Sequence, residues 1–294
     1  MHWIVAPGFF SSGPVIHALE VGSVVAVVSA VVGVFVVLRG QSFAGHALSD
    51  VATAGGAGAA LGGFSTLIGF LAGGVAGASA IEAIGVHRVR SRDMATGIVL
   101  GSATGLSALF LYLTSNTGTS SAVTQEVLFG SIFTVTNSVF PAAAVLGGAS
   151  LLILAVTVRP LLLSSMSNEL AVARGVNVRL VGWLFMGSLA VAVGLASVVL
   201  GSILATALLI GPAAAAYRIT QRVSTTVALA VVFALLSTWT GVLASYDSYN
   251  WSASHRALPV SFFVVLLIVF SYGGASLWQR SRLSKRAHES TRVQ

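Results

Sequence analysis

The chain has 294 residues, of which 56% are hydrophobic and only 8% are charged, and its mean hydropathy is +0.94. A soluble domain contains about 25% charged residues, so this composition excludes an ordinary soluble fold and indicates a membrane protein. The net charge of +7 lies at the ends of apolar runs, which argues against nucleic-acid binding, and the absence of cysteine excludes disulfides and thiolate metal sites.

Nine apolar runs approach the length of about 20 residues that a helix needs to cross the hydrocarbon core of a bilayer. They comprise residues 18–38, 44–61, 64–86, 93–113, 139–158, 180–200, 203–216, 223–243 and 260–278. The sequence therefore predicts an all-α, polytopic integral membrane protein with about eight to nine transmembrane helices, forming a single domain over residues 1–294.

The number of spans depends on the seventh and the first apolar runs. The seventh run is short, and only Gly201 and Ser202 separate it from the sixth, so the seventh run is either a full crossing or a broken, re-entrant element. Residues 1–17 have no basic n-region and no clear cleavage site. They are predicted to be a retained outer segment, and the first apolar run is predicted to be a span instead of a signal peptide.

Basic residues follow alternate spans, beginning with Arg39 after the first. With nine crossings and the N-terminus outside, these residues all face the cytoplasm, and the outer loops contain only Arg256. If the seventh run did not cross, Arg218 and Arg222 would lie outside, against the positive-inside rule. The sequence predicts a multi-pass protein of the plasma (inner) membrane, with an outer N-terminus and a basic cytoplasmic tail at residues 280–294.

The segment GHALSD, Gly45 to Asp50, places a histidine and an acid inside the second run, although the chain has only eight acidic residues and six histidines. His46 and Asp50 are four residues apart, so on a helix they share one face. An imidazole and a carboxylate suit zinc, manganese or ferrous iron, and charge within a membrane is usually functional. The alternatives are a structural His–Asp hydrogen bond or a surface pair near Arg39.

The longest cytoplasmic connection, residues 160–179, contains the sequence NELAVARG. Asn168 is able to cap a short helix there, and Gly175 is able to end it. Such a helix is suited to docking a soluble motor, although a plain surface loop fits the chemistry equally well. Further along, Pro212 follows Gly211 inside an apolar run and predicts a kink, and the run of alanines after it predicts close helix packing.

The remaining acidic residues and the absence of known catalytic motifs limit the functions that the sequence allows. Glu82 lies near the inner end of the third span and is predicted to extend its carboxylate toward the membrane surface, while Asp247 is predicted to be a solvated loop charge. No GxxxxGK[ST] phosphate loop, HExxH or GxSxG motif occurs. The chain is therefore not expected to be an enzyme, and no permanently bound cofactor is predicted.

Four ordered motifs resemble the membrane permease subunits of ABC importers for zinc, manganese and iron. They are VVLRGQSFAGHALSDVATAGGAGAALGG, EVLFGSIFTVT, NELAVARGVNVRLVGWLF and VVLGSILATALLIGPAAAAYRIT. Together they extend over most of the chain, and their order makes the resemblance specific. The positions that match the family pattern include Phe129, Gly130, Gly201 and Pro212, which are expected to be structural, and Glu169, Ala173 and Gly175 in the cytoplasmic connection.

The resemblance implies a helical permease that forms a homodimer in the lipid bilayer. It implies a cytoplasmic ATP-binding subunit, which would grip the connection around Glu169, Ala173 and Gly175, and an extracytoplasmic metal-binding protein that delivers the ion. By the same resemblance, His46 and Asp50 would line the translocation path and transiently bind the transported zinc, manganese or iron ion.

The chain departs from the family in one respect. The family usually has aspartate first and histidine four residues later, whereas here His46 precedes Asp50. A helical face can present both donors in either order, but the reversal keeps open an ABC permease for a non-metal or chelated substrate. A carrier driven by an ion gradient is a further alternative, which the absence of an inverted repeat disfavours. The sequence does not select one metal.

Overall fold

The computed structural model describes the backbone at residues 9, 12–84, 89–116, 121–130, 132–133, 139–251 and 258–292. Every regular element of appreciable length within these ranges is helical. In chain order they are α1 (Gly13–Leu38), α2 (Ser42–Leu61), α3 (Thr66–Ile84), α4 (Val89–Asn116), α5 (Ser121–Phe129), α6 (Val139–Met166), α7 (Asn168–Ala173), α8 (Val178–Leu200), α9 (Ser202–Ile219), α10 (Val223–Trp251) and α11 (Val260–Arg292).

Each of the nine predicted spans falls on one of these helices, and the all-α, polytopic fold is confirmed. Within the described residues, seven helices are long and apolar enough to cross a membrane, namely α1, α3, α4, α6, α8, α10 and α11. The apolar part of α9, Leu204–Ile219, is shorter. Helix α2 has 20 residues, but many are small or polar, and they include His46 and Asp50.

Helices α1 and α8 form the centre of the bundle. In their most apolar stretches 67% and 72% of the residues are buried, against 22% in α4 and α6. One apolar cluster joins α1 to α9, α10 and α11, and a second joins α1 to α2, α3 and α8. The outer helices therefore present most of their apolar side chains outward, where a bilayer would cover them.

Helices α2 and α3 approach each other so closely that their backbones touch. A methyl group added at Gly73 would lie 2.6 Å from the carbonyl oxygen of Val51, and one added at Gly55 would lie 2.8 Å from the α-carbon of Gly73. Small residues permit this contact in lipid, where dispersion and not hydrophobic burial holds helices together. Because this face of α2 is occupied by α3, the opposite face is left for the polar residues.

The junction of α8 and α9 is a single residue, Gly201, with φ 78° and ψ 158°. This conformation is almost confined to glycine. Gly130, at the end of α5, also has a positive φ of 75°, and a methyl group added to either glycine would lie 2.5 Å from the backbone nitrogen of the other. The two resemblance motifs that contain Gly130 and Gly201 therefore meet backbone to backbone.

Helices extend into three segments that the sequence assigned to connections or chain ends. Helix α6 continues to Met166 with Pro160 in its interior, so the connection predicted at residues 160–179 is shortened to residues 167–177; neighbouring helices compensate for an interior proline in membrane proteins. Helix α1 begins at Gly13, within the outer segment predicted for residues 1–17. The tail predicted at residues 280–294 is helical to Arg292, in keeping with its Arg, Lys, Ala and Glu content.

Two acids are buried where the sequence predicted exposure. Glu82 is only 3% exposed, and its carboxylate packs against α8, where a methyl group added at Gly182 would lie 2.5 Å from Oε1. Asp247 is 2% exposed, because α10 continues through it to Trp251 instead of ending in a loop. Neither carboxylate is therefore a solvated surface charge.

The conformation and contacts of Gly201 predict that Gly201→Ala destabilises the fold. The added methyl group would overlap the backbone of Leu128. In addition, the positive φ and extended ψ of Gly201 would cost an alanine about 1–3 kcal/mol. Thermal unfolding of the detergent-solubilised protein measures the loss. Gly148→Ala in α6 is the control, because its methyl group would meet no atom within 4 Å, and equal stability of the two variants would contradict the packing of the junction.

Candidate functional site

The polar face of α2 presents His46 and Asp50 together. His46 is exposed, and Asp50, one turn further along the helix, is half-buried. Ser49 and Leu48, on the other side of the same turns, are fully buried against the bundle. The structure therefore places both predicted ligands on a common accessible surface, as the i, i+4 spacing requires.

Asp50 is held by two hydroxyl groups of α4. Thr104 donates a hydrogen bond from Oγ1 to Oδ2 of Asp50 over 2.9 Å, and Ser107 donates from Oγ to the Asp50 carbonyl oxygen over 3.2 Å. The Thr104 hydroxyl lies equally close, at 2.9 Å, to the carbonyl oxygen of Leu100. Its one proton is therefore shared between the carboxylate and the helix backbone.

His46 and Asp50 do not form an ion pair with each other in the described part of the chain. No described residue hydrogen-bonds to the His46 side chain, so the predicted alternative of a structural His–Asp hydrogen bond is not what the geometry shows. Among the described residues, no group of three or more histidine, cysteine or acidic side chains could hold a metal ion. One imidazole and one carboxylate leave most coordination positions of a transition metal to other donors.

Ser49 connects this face to the junction of α8 and α9. Its hydroxyl donates a buried hydrogen bond to the carbonyl oxygen of Ser202 over 2.7 Å, and Thr53 donates in turn to the carbonyl oxygen of Ser49 over 2.8 Å. Ser202 follows Gly201, the residue that joins α8 to α9. The hydrogen bond therefore fixes the turn of α2 that carries Asp50 to the junction of α8 and α9.

The short helix α7 lies in the shortened connection between α6 and α8, and its caps are well defined. Ser167, not Asn168 as predicted, is the N-cap, and its Oγ accepts a hydrogen bond from the Leu170 backbone over 3.2 Å. Gly175 ends the helix with φ 77°. The amide of Gly175 bonds to Val172 and that of Val176 to Ala171, a Schellman arrangement.

The predicted coupling residues Glu169, Ala173 and Gly175 are all exposed on or beside α7. The apolar side chains of Leu170 and Val172 are also exposed, by 47% and 63%. Only Ala171 of this helix is buried. Helix α7 therefore presents a mixed apolar and charged surface away from the bundle.

The four residues expected to be structural lie in different surroundings. Gly130 and Gly201 meet at the junction of α8 and α9, Pro212 is buried within α9, and Phe129 is 43% exposed. Helix α9 continues past Pro212 to Ile219. The kink that the sequence predicts at this proline stays a prediction.

The hydroxyl groups of Thr104, Ser107 and Ser49 were not identified from the sequence. Serine and threonine are common in membrane helices, where they usually bond to their own backbone. A pairing across 54 residues of sequence, as between Thr104 and Asp50, leaves no local pattern. Only the close packing of α4 on α2 brings it about.

An all-α bundle in which seven described helices are long and apolar enough to cross a membrane defines the class of multi-pass membrane proteins. Residues 13–272 match the ABC 3 transport family, so the chain belongs to this family. It is thus a membrane permease, a transporter and not a catalytic enzyme. The family resemblance predicted from the four motifs is confirmed.

Several characterised proteins are similar to the chain over most of its length. The manganese transport system membrane protein MntC of Halalkalibacterium halodurans is 30% identical over 87% of this chain and 86% of its own. The high-affinity zinc uptake system membrane protein ZnuB of Haemophilus influenzae is 27% identical over 86% and 95%. The structure of PsaBC from Streptococcus pneumoniae in complex with Fab superposes with a TM-score of 0.77, at 27% identity over 91% and 92%.

The buried Ser49–Ser202 hydrogen bond predicts that Ser49→Ala lowers the free energy of unfolding by about 1 kcal/mol. Ser29→Ala is the matched control, because Ser29 is equally buried, at 0% exposure, and its hydroxyl has no hydrogen-bond partner among the described residues. Removing an unsatisfied hydroxyl is neutral or stabilising. Thermal unfolding in detergent compares the two, and an equal loss in both would refute the special role of Ser49.

Proposed function

We propose that this chain is the transmembrane subunit of an ATP-driven importer for a divalent transition metal, with zinc, manganese and iron as the candidate ions. The observation that carries the proposal is the pair His46 and Asp50, presented together on the accessible face of α2. Relatives named for manganese and for zinc transport support the same class of substrate. Their names do not select one metal for this chain.

A transport site has to release its ion, and the composition of this site suits that need. Two protein ligands bind a metal more weakly than the closed four-ligand set of a structural zinc site. Water, or the corresponding residues of a second copy, would complete the coordination of an ion beside His46 and Asp50. We therefore propose that the permease acts as a homodimer with this face of α2 along the translocation path.

The motor is proposed to be a separate cytoplasmic ATPase that docks on α7. This helix has exposed apolar side chains next to Glu169, and its ends are fixed by a serine N-cap and the Gly175 C-cap. A short, exposed helix with fixed ends is suited to transmit a conformational change from a partner subunit. An extracytoplasmic metal-binding protein is proposed to deliver the ion on the opposite side.

The orientation follows from the basic residues. Arg39 contacts Ser164 near the end of α6, and Arg218 contacts Gln279 just beyond the apolar run of α11, so arginines that follow different spans meet the ends of other apolar runs. Their accumulation at these ends supports a cytoplasmic location under the positive-inside rule. We propose a plasma (inner) membrane protein with its N-terminus outside and its C-terminus in the cytoplasm.

A permease of the same fold for a chelated metal or a non-metal substrate is the second candidate. The observation that favours it is the reversed order of His46 and Asp50 relative to the family. In that case the two residues would contact a ligand atom of the chelate instead of a bare ion.

We expect His46→Ala and Asp50→Ala each to reduce metal uptake to near background in cells that lack their own importers and express the permease, the ATPase and the binding protein. Each variant removes one of the two protein ligands. The double exchange His46→Asp with Asp50→His keeps both donors on one helical face and should recover uptake well above either single variant. Elemental analysis of the cells measures zinc, manganese and iron together.

Assembly with the ATPase is checked in the same membranes by co-purification. Unchanged uptake in both single variants would remove the pair from the path. No metal gain in the wild type, with the complex intact, would favour the chelate or non-metal substrate.

We expect Glu169→Lys to abolish ATP-dependent uptake, because it reverses a charge on the exposed surface of α7 that the ATPase is proposed to grip. Asp93→Lys is the matched control, since it makes the same charge reversal at an exposed acid near the start of α4. Uptake in proteoliposomes with internal ATP is the measurement. Equal uptake by the two variants would refute docking at α7.

A further inference from the structure

Arg39 lies at the turn between α1 and α2, and its side chain contacts two other helices. Its Nη1 lies 3.3 Å from Oγ of Ser164 in α6, and its guanidinium carbon lies 5.1 Å from the centre of the Phe185 ring in α8. Ser164 precedes the N-cap of α7 by three residues, and Phe185 lies within the first two turns of α8, which follows α7. A single side chain thus bridges both helices that flank α7.

The two groups that Arg39 contacts are shielded from solvent. Phe185 is 1% exposed and Ser164 is 6% exposed, while Arg39 itself is partly buried. A cation over an aromatic face contributes more when water is excluded, up to about 2 kcal/mol. Arginine presents a planar fork that stacks and donates at the same time, which the single ammonium of lysine does not reproduce.

The same turn is the start of the site helix. Arg39 is the C-cap residue of α1, and Gln41, two residues later, is the N-cap of α2. His46 follows within the first two turns of α2. Any shift of α6 and α8 that accompanies α7 therefore acts, through Arg39, on the base of the helix that carries His46 and Asp50.

We propose that Arg39 is a positioning residue that transmits movement of α7 to α2, and thereby couples the nucleotide cycle of the ATPase to the face that carries His46 and Asp50. This inference rests on the proposed ATP-driven mechanism, but it does not depend on which substrate is carried. The guanidinium holds the turn before α2 to both flanks of the docking helix, so that the three elements move as one.

Arg218 provides a matched comparison within the same chain. Its Nη2 donates to the Tyr272 hydroxyl over 2.8 Å, its Nη1 donates to Gln279 over 3.2 Å, and its guanidinium carbon lies 5.5 Å from the Tyr272 ring centre. Like those of Arg39, these contacts combine hydrogen bonding with a cation–π contact. They join α9 to α11, however, and neither helix flanks α7 or carries the candidate ligands.

The test uses the absence of cysteine from the chain, since Phe43→Cys supplies a single thiol. Phe43 is 47% exposed and lies one turn before His46 on α2. The permease carrying this change is assembled with its ATPase and binding protein in proteoliposomes. The rate at which a maleimide labels the permease is then measured without nucleotide and with ATP plus vanadate, in backgrounds with Arg39, Arg39→Lys and Arg218→Lys.

We expect nucleotide to change the labelling rate at least about fivefold in the Arg39 and Arg218→Lys backgrounds, and to change it little in Arg39→Lys. In the same vesicles, Arg39→Lys should hydrolyse ATP but import at least about fivefold fewer manganese or zinc ions per ATP. Thermal unfolding of both lysine variants separates this effect from a general loss of stability, which would affect Arg218→Lys as well.

A nucleotide response that is equal in Arg39 and Arg39→Lys would overturn the proposal, and so would the absence of any response in the Arg39 background. Failure of the proposed substrate gives a different pattern. In that case labelling still responds to nucleotide and still depends on Arg39, but neither manganese nor zinc enters the vesicles in any background.

Discussion

The break between α8 and α9 is the constraint on which the rest of the bundle depends. Backbone groups that leave a helix inside a membrane cannot bond to lipid, so they have to be packed or bonded by protein. At Gly201 this is achieved by the backbone of Gly130 at the end of α5 and by the hydroxyl of Ser49, which bonds to Ser202. The break is therefore held by α5 on one side and by α2 on the other.

This arrangement explains why the candidate ligands lie where they do. Helix α2 cannot rotate about its axis, because Ser49 is bonded at the break and Gly55 is in backbone contact with α3. Once these two faces are fixed, the 100° step of the helix leaves His46 and Asp50 on the remaining face. Thr104 of α4 then bonds to the Asp50 carboxylate. The geometry of the site is thus a consequence of packing on the other faces of α2.

The sequence predicted the parts of this structure that depend on local pattern. Apolar length indicated the spans, and the sequence of residues 168–175 indicated a short helix that ends at glycine, although Ser167 is the cap instead of Asn168. The end of α6 was predicted too early, because the apolar run ends at residue 158 whereas the helix continues through Pro160 to Met166. Contacts with neighbouring helices reduce the cost of the interior proline.

Contacts between distant segments could not be predicted in this way. The burial of Glu82 against Gly182, the meeting of Gly130 with Gly201 and the bond from Thr104 to Asp50 all depend on which helices become neighbours. A single acid near a span end is compatible with exposure and with burial, and only the tertiary packing decides between them. The motifs suggested which residues matter, but their roles require the contacts.

The order of His46 and Asp50 along α2 has a structural consequence that composition alone does not suggest. The acid occupies the position further from the start of α2, where the Thr104 and Ser107 hydroxyls donate to its carboxylate and to its carbonyl. A partly buried carboxylate needs such donors, whereas the imidazole of His46 is exposed and can bond to solvent. The exposed position nearer the Arg39 turn is left to the histidine. The order of the two ligands is thus matched to the hydroxyl groups of α4. In the exchanged variant the carboxylate would lie at the exposed position 46, where water replaces these donors and both ligands stay on one helical face.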